Sequence, residues 1–454
     1  MNIIIAGDGK VGSTLTRQLS SEGYDITVID TNRRVLEAST ERYDVICVQG
    51  NCASMDTLLE AGVKDADLLI AATNADEVNL LCCTIAHGIN PKLHTIARIR
   101  NPEYDEQIFK MRDIFGLSMT INPERQAARE IERLIKLPGF LRRDVFAKGR
   151  TEIVELKIDK SSKLLDVKLM DLPGIIKCRV LICAVLRDGK AMVPNSGHFT
   201  FREGDRVFVT APTKDLTTLL KNLNVISRRV RSCMLCGAGR VSYYLASSLI
   251  RSGIEVKIVE QNEARCNEIK TLLPEAQVIL GDAGDLELLE SEGLKNYDAL
   301  VALTGEDELN MIVSLCASNA GIPQVITKLG HAGNRNVIDA LNLGSVVCPK
   351  DLVVSHIVQY VRAMQNQTGA ALSVHSIADG QVEAMEFLVD KNTKNCGIPL
   401  KSLKPKPNVL IAGITHGAWT EIPNGDSMFH KGDNVVVVVI RGDTAVRQLN
   451  DIFE

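Results

Sequence analysis

The sequence has few aromatic residues and no long apolar segment. Aromatic residues make up 4% of its 454 residues, and one of them is tryptophan. The longest apolar runs, such as Val435 to Ile440, are far shorter than the roughly 20 residues that a helix needs to cross a bilayer. Met1 leads directly into an apolar stretch, without a secretory signal. We therefore expect a soluble protein without direct membrane insertion, whose role at a membrane would depend on a partner.

A large charge of one sign is also missing. The chain has 52 basic and 56 acidic residues, for a net charge of −4 at pH 7. This balance provides no single-sign field that would attract nucleic-acid phosphates, so we expect no nucleic-acid partner. The apolar fraction of 45% is ordinary for a globular protein, and the length leaves room for three or four domains, each with its own core.

Paired metal-binding motifs are absent although the sequence contains 12 cysteines. Most of them are scattered through apolar segments, where a free cysteine behaves as a small hydrophobic residue. Cys233 and Cys236 have the spacing of a redox or zinc pair. They lie in an apolar run, however, and no second Cys or His pair follows at zinc-finger distance. We expect no metal site and a reducing, cytoplasmic compartment.

A glycine-rich pattern at the start of the chain is the strongest positive feature. An apolar run, Asn2 to Ala6, leads into the G-x-G-x-x-G of residues 7–12, and a helix is predicted over residues 13–23. A second apolar strand ends on Asp30. Strand, glycine turn, helix, strand and acid together are the context of a dinucleotide-binding fingerprint. The glycines permit a tight turn close to a pyrophosphate, and the acid can accept both ribose hydroxyls.

The same pattern occurs a second time. Gly7, Gly9 and Asp30 correspond to Gly237, Gly239 and Glu260 at a constant offset of 230, so the chain is an internal duplication. The third glycine of the first copy is replaced by Ser242, which should hold the helix further from the strand. We expect the second site to bind a nucleotide more weakly, or to prefer a mononucleotide.

Alternating strands and helices predict an α/β fold with two Rossmann-like, doubly wound parallel sheets, each followed by a small α+β module. An amphipathic helix follows each Rossmann unit, and it could pack on its own domain or cross to another subunit. The predicted domains are a Rossmann domain at 1–123, a helix and linker at 124–150, a small module at 151–227, a second Rossmann domain at 232–348, a second helix at 349–367 and a second module at 368–454.

Polar residues cluster where the predicted strands end, which is where doubly wound sheets bind ligands. In the first copy these residues are Gly7, Asp30, Asn51, Thr73, Asn74 and Arg98. A dehydrogenase would also need a general base and an anion clamp. The histidines of the small modules have no recurring partner in the sequence; they are His198, His375, His416 and His430. We therefore expect no catalytic residues and predict a nucleotide sensor.

Two other classes of function remain open at this stage. An NAD-dependent oxidoreductase would use the same glycine turn to hold its cofactor. A redox-sensing repressor would need a DNA-reading helix with clustered basic residues, and none stands out in the sequence.

The order of the domains resembles that of the RCK family, in which a KTN domain precedes a C-terminal RCK module. The similarity covers essentially the whole chain and is carried by residues 3–12, 28–30, 49–51, 71–74 and 97–98. It implies a regulatory subunit of a potassium-uptake system. This subunit would form a homotetrameric ring, bind NAD(H) and also ATP or ADP, and dock as a peripheral protein on a membrane potassium-translocating subunit at the inner face of the cell membrane.

The resemblance also implies the ligand-binding residues by position. The glycine turn and Arg98 would contact phosphates, Asp30 the ribose, Asn51 the adenine, and Thr73 with Asn74 the second half of the ligand. The implied residues of the first copy are Gly7, Asp8, Gly9, Lys10, Val11, Gly12, Asp30, Asn51, Thr73, Asn74 and Arg98. Those of the second copy are Gly237, Ala238, Gly239, Arg240, Val241, Glu260, Asp282, Thr304 and Gly305.

Overall fold

A computed structural model describes most of the chain and divides it into two compact units. The described residues are 1–136, 142–160, 162–194, 196–223, 230–330, 341, 343–364, 371–441, 446 and 448–454. The first unit consists of residues 1–128 and 348–358, and the second of residues 129–347 and 359–454. The domain boundaries predicted at 227 and at 367–368 lie outside the described residues.

The first unit is built on a six-stranded parallel sheet with helices between the strands. The strands are β1 (Asn2–Ala6), β2 (Asp25–Asp30), β3 (Ile46–Gln49), β4 (Leu68–Ala71), β5 (His94–Arg98) and β6 (Met119–Ile121). The helices are α1 (Gly12–Ser21), α2 (Arg33–Arg42), α3 (Met55–Glu60), α4 (Asp76–Ile89), α5 (Pro102–Met111) and α6 (Pro123–Lys136). The strand order β3-β2-β1-β4-β5-β6 reverses direction next to β1, as in a Rossmann sheet.

The central strand β1 explains why the chain begins with a continuous apolar run. Ile3, Ile4 and Ile5 are at most 1% exposed. A parallel sheet covered by helices on both faces buries both sides of its central strands, so these strands do not alternate apolar with polar residues. The ligand-facing edge of the sheet lies at the carboxyl end of this strand, where the glycine turn begins.

The first small module, in the second unit, is an antiparallel sheet of five strands with order β10-β9-β11-β8-β7. Its elements are β7 (Arg142–Phe146), β8 (Thr151–Lys157), α7 (Leu172–Ile176), β9 (Leu181–Arg187), β10 (Lys190–Met192), β11 (Arg206–Pro212) and α8 (Thr213–Asn222). Strand β7 lies inside the segment predicted as a linker at 124–150. Because β7 pairs with β8, residues 142–146 belong to the module rather than to a linker.

The second Rossmann domain repeats the first. Its strands are β12 (Ser232–Cys236), β13 (Glu255–Glu260), β14 (Gln277–Leu280), β15 (Ala299–Ala302), β16 (Gln324–Lys328) and β17 (Ser345–Val347). Its described helices are α9 (Arg240–Arg251), α10 (Glu263–Leu272), α11 (Leu286–Ser291), α12 (Asp307–Asn319) and α13 (Pro349–Met364), the last of which begins in the first unit. The order β14-β13-β12-β15-β16-β17 is that of the first copy.

The second small module repeats the sheet of the first and shares its core. Its strands are β18 (Ala371–Ile377), β19 (Val382–Leu388), β20 (Val409–His416), β21 (Trp419–Glu421) and β22 (Asn434–Ile440), in the order β18-β19-β22-β20-β21. Phe146 and Phe208 of the first module pack in one buried cluster with Ile377 and Val436 of the second. The two modules therefore bury their apolar faces against each other.

The second half of α6 packs on the second Rossmann domain of the same chain. Gln324 donates a hydrogen bond from Nε2 to the carbonyl oxygen of Leu134 at 2.6 Å. That carbonyl lies in the last turn of α6, where it has no partner within the helix. The predicted alternatives were packing on its own domain or on another subunit; the first half of the helix, residues 123–128, lies in the unit of its own Rossmann domain, and the contact of its second half with the other Rossmann domain of the chain was not predicted.

No helix within the described ranges combines the length and the apolar character needed to cross a bilayer.

The predicted fold class, two Rossmann-like parallel sheets each followed by a small module, is confirmed.

We expect Phe208→Ala to lower the free energy of unfolding by about 3–5 kcal/mol, because it leaves a cavity in the core that the two modules share. Urea denaturation of the full chain measures this change. Met170→Ala in the same module serves as the control, since the Met170 side chain is 56% exposed and its truncation should change stability by less than about 0.5 kcal/mol. Equal losses in the two variants would contradict a shared core.

Candidate nucleotide-binding sites

The three glycines of the first turn have different structural roles. Gly7 has a φ of +93°, and a Cβ there would lie 2.9 Å from the backbone of Thr73. A Cβ on Gly12 would lie 1.9 Å from the carbonyl oxygen of Gly7. No described atom lies within 4 Å of the Cβ position of Gly9. The first and third glycines are thus required by the fold, while the second exposes backbone to open space where a phosphate would fit.

Asp30 connects the end of β2 to the glycine turn. Its Oδ2 accepts a hydrogen bond from the backbone N–H of Asp8 at 2.8 Å, and its Oδ1 accepts one from Asn32 at 2.8 Å. A carboxylate has about four acceptor positions, so two remain for a ligand diol. The residue is only partly buried. This geometry fits the predicted contact with a ribose.

Asp8 has a buried side chain, so only its backbone is available to a ligand. Its side chain is 3% exposed and accepts hydrogen bonds from the hydroxyls of Ser39 and Thr16, at 2.5 and 3.4 Å. Burial raises the pKa of the Asp8 carboxyl above its ordinary value; the hydrogen bond from Ser39 lowers this pKa, and the charge of Asp30 raises it further. The carboxylate therefore fastens the turn to α1 and α2 and does not face the ligand.

Asn79 organises the other half of the site and was not predicted as a site residue. Its Oδ1 accepts hydrogen bonds from the backbone and the hydroxyl of Thr73, at 2.9 and 2.7 Å. Its Nδ2 donates to the carbonyl oxygen of Arg98 at 2.8 Å. The side chain is fully buried and joins the ends of β4 and β5. The sequence does contain a pattern that marks Asn79, because the run from Thr73 to Asn79 recurs as the run from Thr304 to Asn310.

The second copy forms the same bridge with a longer acid. Glu260 accepts from the backbone N–H of Ala238 at 2.7 Å and from Asn262 at 2.9 Å. Gly237 has a φ of +104°. Asn310 accepts from the backbone of Thr304 at 2.8 Å, as Asn79 does in the first copy. The two sites share one hydrogen-bond framework.

Ser242 adapts the second turn to a side chain that the first turn cannot hold. It is fully buried, and its Oγ donates to the carbonyl oxygen of Gly237 at 2.5 Å. At Gly12, the equivalent position of the first copy, a Cβ alone would clash with the carbonyl oxygen of Gly7. The turn carbonyl therefore lies further from the helix in the second copy than in the first.

The second site has a different set of basic side chains: Arg265 beside the turn, and Lys328 where the first copy has Arg98. Arg265 donates from Nε to the carbonyl oxygen of Ala238 at 2.7 Å. Lys328 donates from Nζ to the carbonyl oxygens of Thr304 and Leu303 at 2.6 and 3.3 Å. The position of Arg265 is held by Val35 in the first copy, so the glycine fingerprint gave no indication of it.

The remaining predicted residues fall into three groups. Lys10 and Arg240 are exposed, at equivalent positions after the second glycine of each turn. Val11 and Val241 have buried side chains, so only their backbones could contact a ligand. The third group consists of exposed polar or glycine positions after strands β3, β4, β14 and β15: Asn51, Asn74, Asp282 and Gly305. The side chains of Asn51 and Asp282 cap equivalent turns by accepting from Ala53 and Gly284, at 3.0 and 2.8 Å.

The pair Cys233 and Cys236 is structural. Both thiols are fully buried in β12, and burial raises the pKa of each, that of Cys236 to about 12. The thiolate needed for metal binding or redox chemistry is therefore disfavoured.

Comparison with known proteins agrees with this architecture. The TrkA-N domain matches residues 3–123 and 233–349, and the TrkA-C domain matches residues 153–224 and 384–451. The chain belongs to the TrkA family. It is 30% identical over 439 residues to the Trk system potassium uptake protein TrkA homolog of Archaeoglobus fulgidus, covering 96% of this chain and 97% of the relative. Identity to TrkA of Vibrio alginolyticus is 30% over 447 residues, covering 97% and 96%.

Solved structures show the same fold as this TrkA-family chain. The GsuK RCK domain superposes with a TM-score of 0.60 at 17% identity, covering 97% of this chain and 92% of that one. The GsuK channel bound to NAD gives a TM-score of 0.61 at 16% identity, covering 97% and 77%.

We expect Gly12→Ala to destabilise the first Rossmann domain by about 1–3 kcal/mol, because the new methyl group must displace the turn carbonyl. Ser242→Ala at the equivalent position should cost only about 1 kcal/mol, the value of one hydrogen bond. Gly9→Ala should change stability by less than about 0.5 kcal/mol. Thermal unfolding of the three variants measures these differences. A Gly12→Ala protein as stable as the wild type would rule out the tight contact.

Proposed function

We propose that this chain is a cytoplasmic, nucleotide-sensing regulatory subunit of a potassium-uptake system, and that it is not an enzyme. The observation that carries the proposal is the repetition of one nucleotide cradle in a single chain. Both copies join a glycine turn to an acid at the end of the next strand, and both fix the opposite side with a buried Asn. Relatives named as Trk potassium uptake proteins, matched over nearly their full length, support the same function.

The first site fits NAD(H). Gly9 and the start of α1 would hold the pyrophosphate, because backbone N–H groups and a helix N-terminus favour anions. The free acceptor positions of Asp30 would bind the adenosine ribose. Thr73 and Asn74, at the end of β4, would contact the second half of the dinucleotide, next to Arg98. The structure of the GsuK channel bound to NAD supports this ligand for a related fold.

The second site fits ATP or ADP better than NAD(H). It has Ala238 in place of Asp8 and adds the guanidinium of Arg265 beside the turn. The ammonium of Lys328 lies against the end of β15. Arg265 adds a cation beside the turn, where the phosphates would bind, while Asp282 in place of Asn51 adds a carboxylate at the end of β14. A terminal polyphosphate carries more negative charge than a dinucleotide pyrophosphate, so a cation at the turn favours it. Charge complementarity therefore favours the mononucleotide.

Regulation would follow from a shift between two arrangements of an assembled ring. We propose a homotetramer that docks as a peripheral complex on a membrane potassium-translocating subunit of the TrkH/TrkG kind, at the inner face of the cell membrane. A nucleotide shifts such an equilibrium only through its different affinities for the two arrangements. The usual coupling free energy between two such sites, here nucleotide binding and opening of the potassium pathway, is about 1–3 kcal/mol.

We expect Asp30→Ala to weaken NAD(H) binding at the first site by about tenfold or more, since hydrogen bonds to a charged group contribute about 1.5–3 kcal/mol. Glu260→Ala should weaken ATP or ADP binding at the second site and leave the first unchanged. Calorimetric titration of the full chain with NADH, NAD⁺, ATP and ADP separates the two sites.

Asp30→Ala removes both a ligand contact and a hydrogen bond that supports the turn, and a third variant distinguishes the two effects. Gly9→Ala keeps both hydrogen bonds of Asp30 but places a methyl group in the phosphate space, so it should lose NAD(H) affinity while unfolding like the wild type. Unchanged affinities in Asp30→Ala and Gly9→Ala would exclude the first site as the NAD(H) site. A substrate-dependent change in nicotinamide absorbance would instead favour the alternative, an NAD-dependent oxidoreductase.

A further inference from the structure

The two small modules contain an equivalent aspartate that pairs with a different basic side chain in each. In the first module Asp205 precedes β11, is 1% exposed and forms a two-point ion pair with Arg187, the last residue of β9. Arg187 Nε lies 2.8 Å from Oδ1 and Nη2 lies 2.7 Å from Oδ2. The backbone N–H of Arg202 donates to Oδ2 at 2.8 Å. A permanent cation thus compensates the buried charge.

In the second module histidines occupy both basic positions. Asp433 precedes β22 and is 6% exposed. His416, the last residue of β20, replaces Arg187, and its Nδ1 lies 2.7 Å from Asp433 Oδ2. His430 replaces Arg202, and its backbone N–H donates to the same oxygen at 2.6 Å. The backbone geometry of the turn is retained, while the guanidinium is replaced by imidazole.

The three side chains offer ligand atoms of the kind that zinc prefers. One ligand atom from each of His416, His430 and Asp433 can be chosen so that all lie within 4.8 Å of one another. His430 Nδ1 lies 3.8 Å from Asp433 Oδ2. Ligand atoms bound tetrahedrally to Zn²⁺ are about 3.3 Å apart, so small side-chain movements would close the site.

A fourth side chain lies beside the first histidine. Glu421 Oε1 lies 3.6 Å from Nε2 of His416, the ring nitrogen that does not face Asp433, a distance slightly longer than a hydrogen bond. Metal-binding histidines usually donate their second ring N–H to a carboxylate, and Glu421 is placed to become this acceptor when His416 binds a metal ion. The arrangement leaves one coordination position for water or for Cys396, the exposed one of the twelve cysteines, which adjoins Gly397 near His430.

We propose that His416, His430 and Asp433 form a binding site for a divalent transition-metal ion of the zinc type. The ion would join the end of β20 to the turn before β22, the same connection that Arg187 makes permanently in the first module. The sequence predicted no metal site because no Cys or His pair follows at zinc-finger distance. The comparison of the two modules brings these residues together, since His416 and Asp433 replace an ion pair.

Zn²⁺ titration of the full, chelator-dialysed chain, followed by calorimetry and thermal unfolding, tests the site. We expect one Zn²⁺ per chain and a higher unfolding temperature with the ion, because a ligand that binds only the folded state stabilises it. His430→Ala should weaken binding at least tenfold. His198→Ala, an exposed histidine of the first module, should leave it unchanged.

The decisive variant is His416→Arg, which restores the residue of the first module. It should abolish Zn²⁺ binding and keep or raise the metal-free unfolding temperature, because a guanidinium can pair with Asp433. Such a result separates loss of a ligand from loss of the fold. Absence of Zn²⁺ binding in the wild type would overturn the proposal. So would binding that persists in the double variant His416→Arg/His430→Ala, or that is lost only in Cys396→Ser.

Discussion

The architecture depends on a backbone turn that passes directly over the neighbouring strand. Gly7 and Gly237 adopt positive φ angles, and a Cβ on either would lie within about 3 Å of the next strand's end. An acid at the end of the second strand then holds the turn in place by accepting one hydrogen bond from its backbone, at Asp8 or Ala238. This pairing of close approach and carboxylate bridge fixes where a phosphate and a ribose can bind, and the remaining site residues are arranged around it.

Duplication has kept this framework and changed its charges. Replacing Val35 by Arg265 adds a cation beside the second turn, and replacing Asn51 by Asp282 adds a carboxylate after β14, while the hydrogen bond from the turn to the acid is retained. The small modules show the same behaviour, since an arginine–aspartate pair in one becomes a histidine–aspartate cluster in the other. Each module thus serves as an internal reference for its copy. A sensor of several ligands needs binding sites of different charge, and the two copies provide them on equivalent backbones.

The sequence predicted the two Rossmann sheets well because their signals are local. An apolar run, a glycine turn and an acid are contiguous, and the physical reason for each residue can be read without knowing the rest of the fold. Long-range features were harder to predict. Strand β7 itself begins with Arg142, Arg143 and Asp144, so no apolar pattern marks it as a strand, and its pairing with β8 joins residues of the module's sheet. The contact of Gln324 with α6 joins residues far apart in the chain, so no periodicity could indicate it. Asn79 was not predicted as a site residue, because its role depends on contacts with the ends of β4 and β5 at once.

The central claim is that nucleotide binding in this chain controls potassium movement through a membrane subunit. Potassium flux into liposomes that contain the translocating subunit, with the chain added on the outside, tests it most directly. The account predicts that NAD(H) or ATP changes the flux when the wild-type chain is present, and that Gly9→Ala removes the response to NAD(H) while the response to ATP remains. A flux that is the same with and without nucleotide, although the chain is bound to the liposomes, would contradict it.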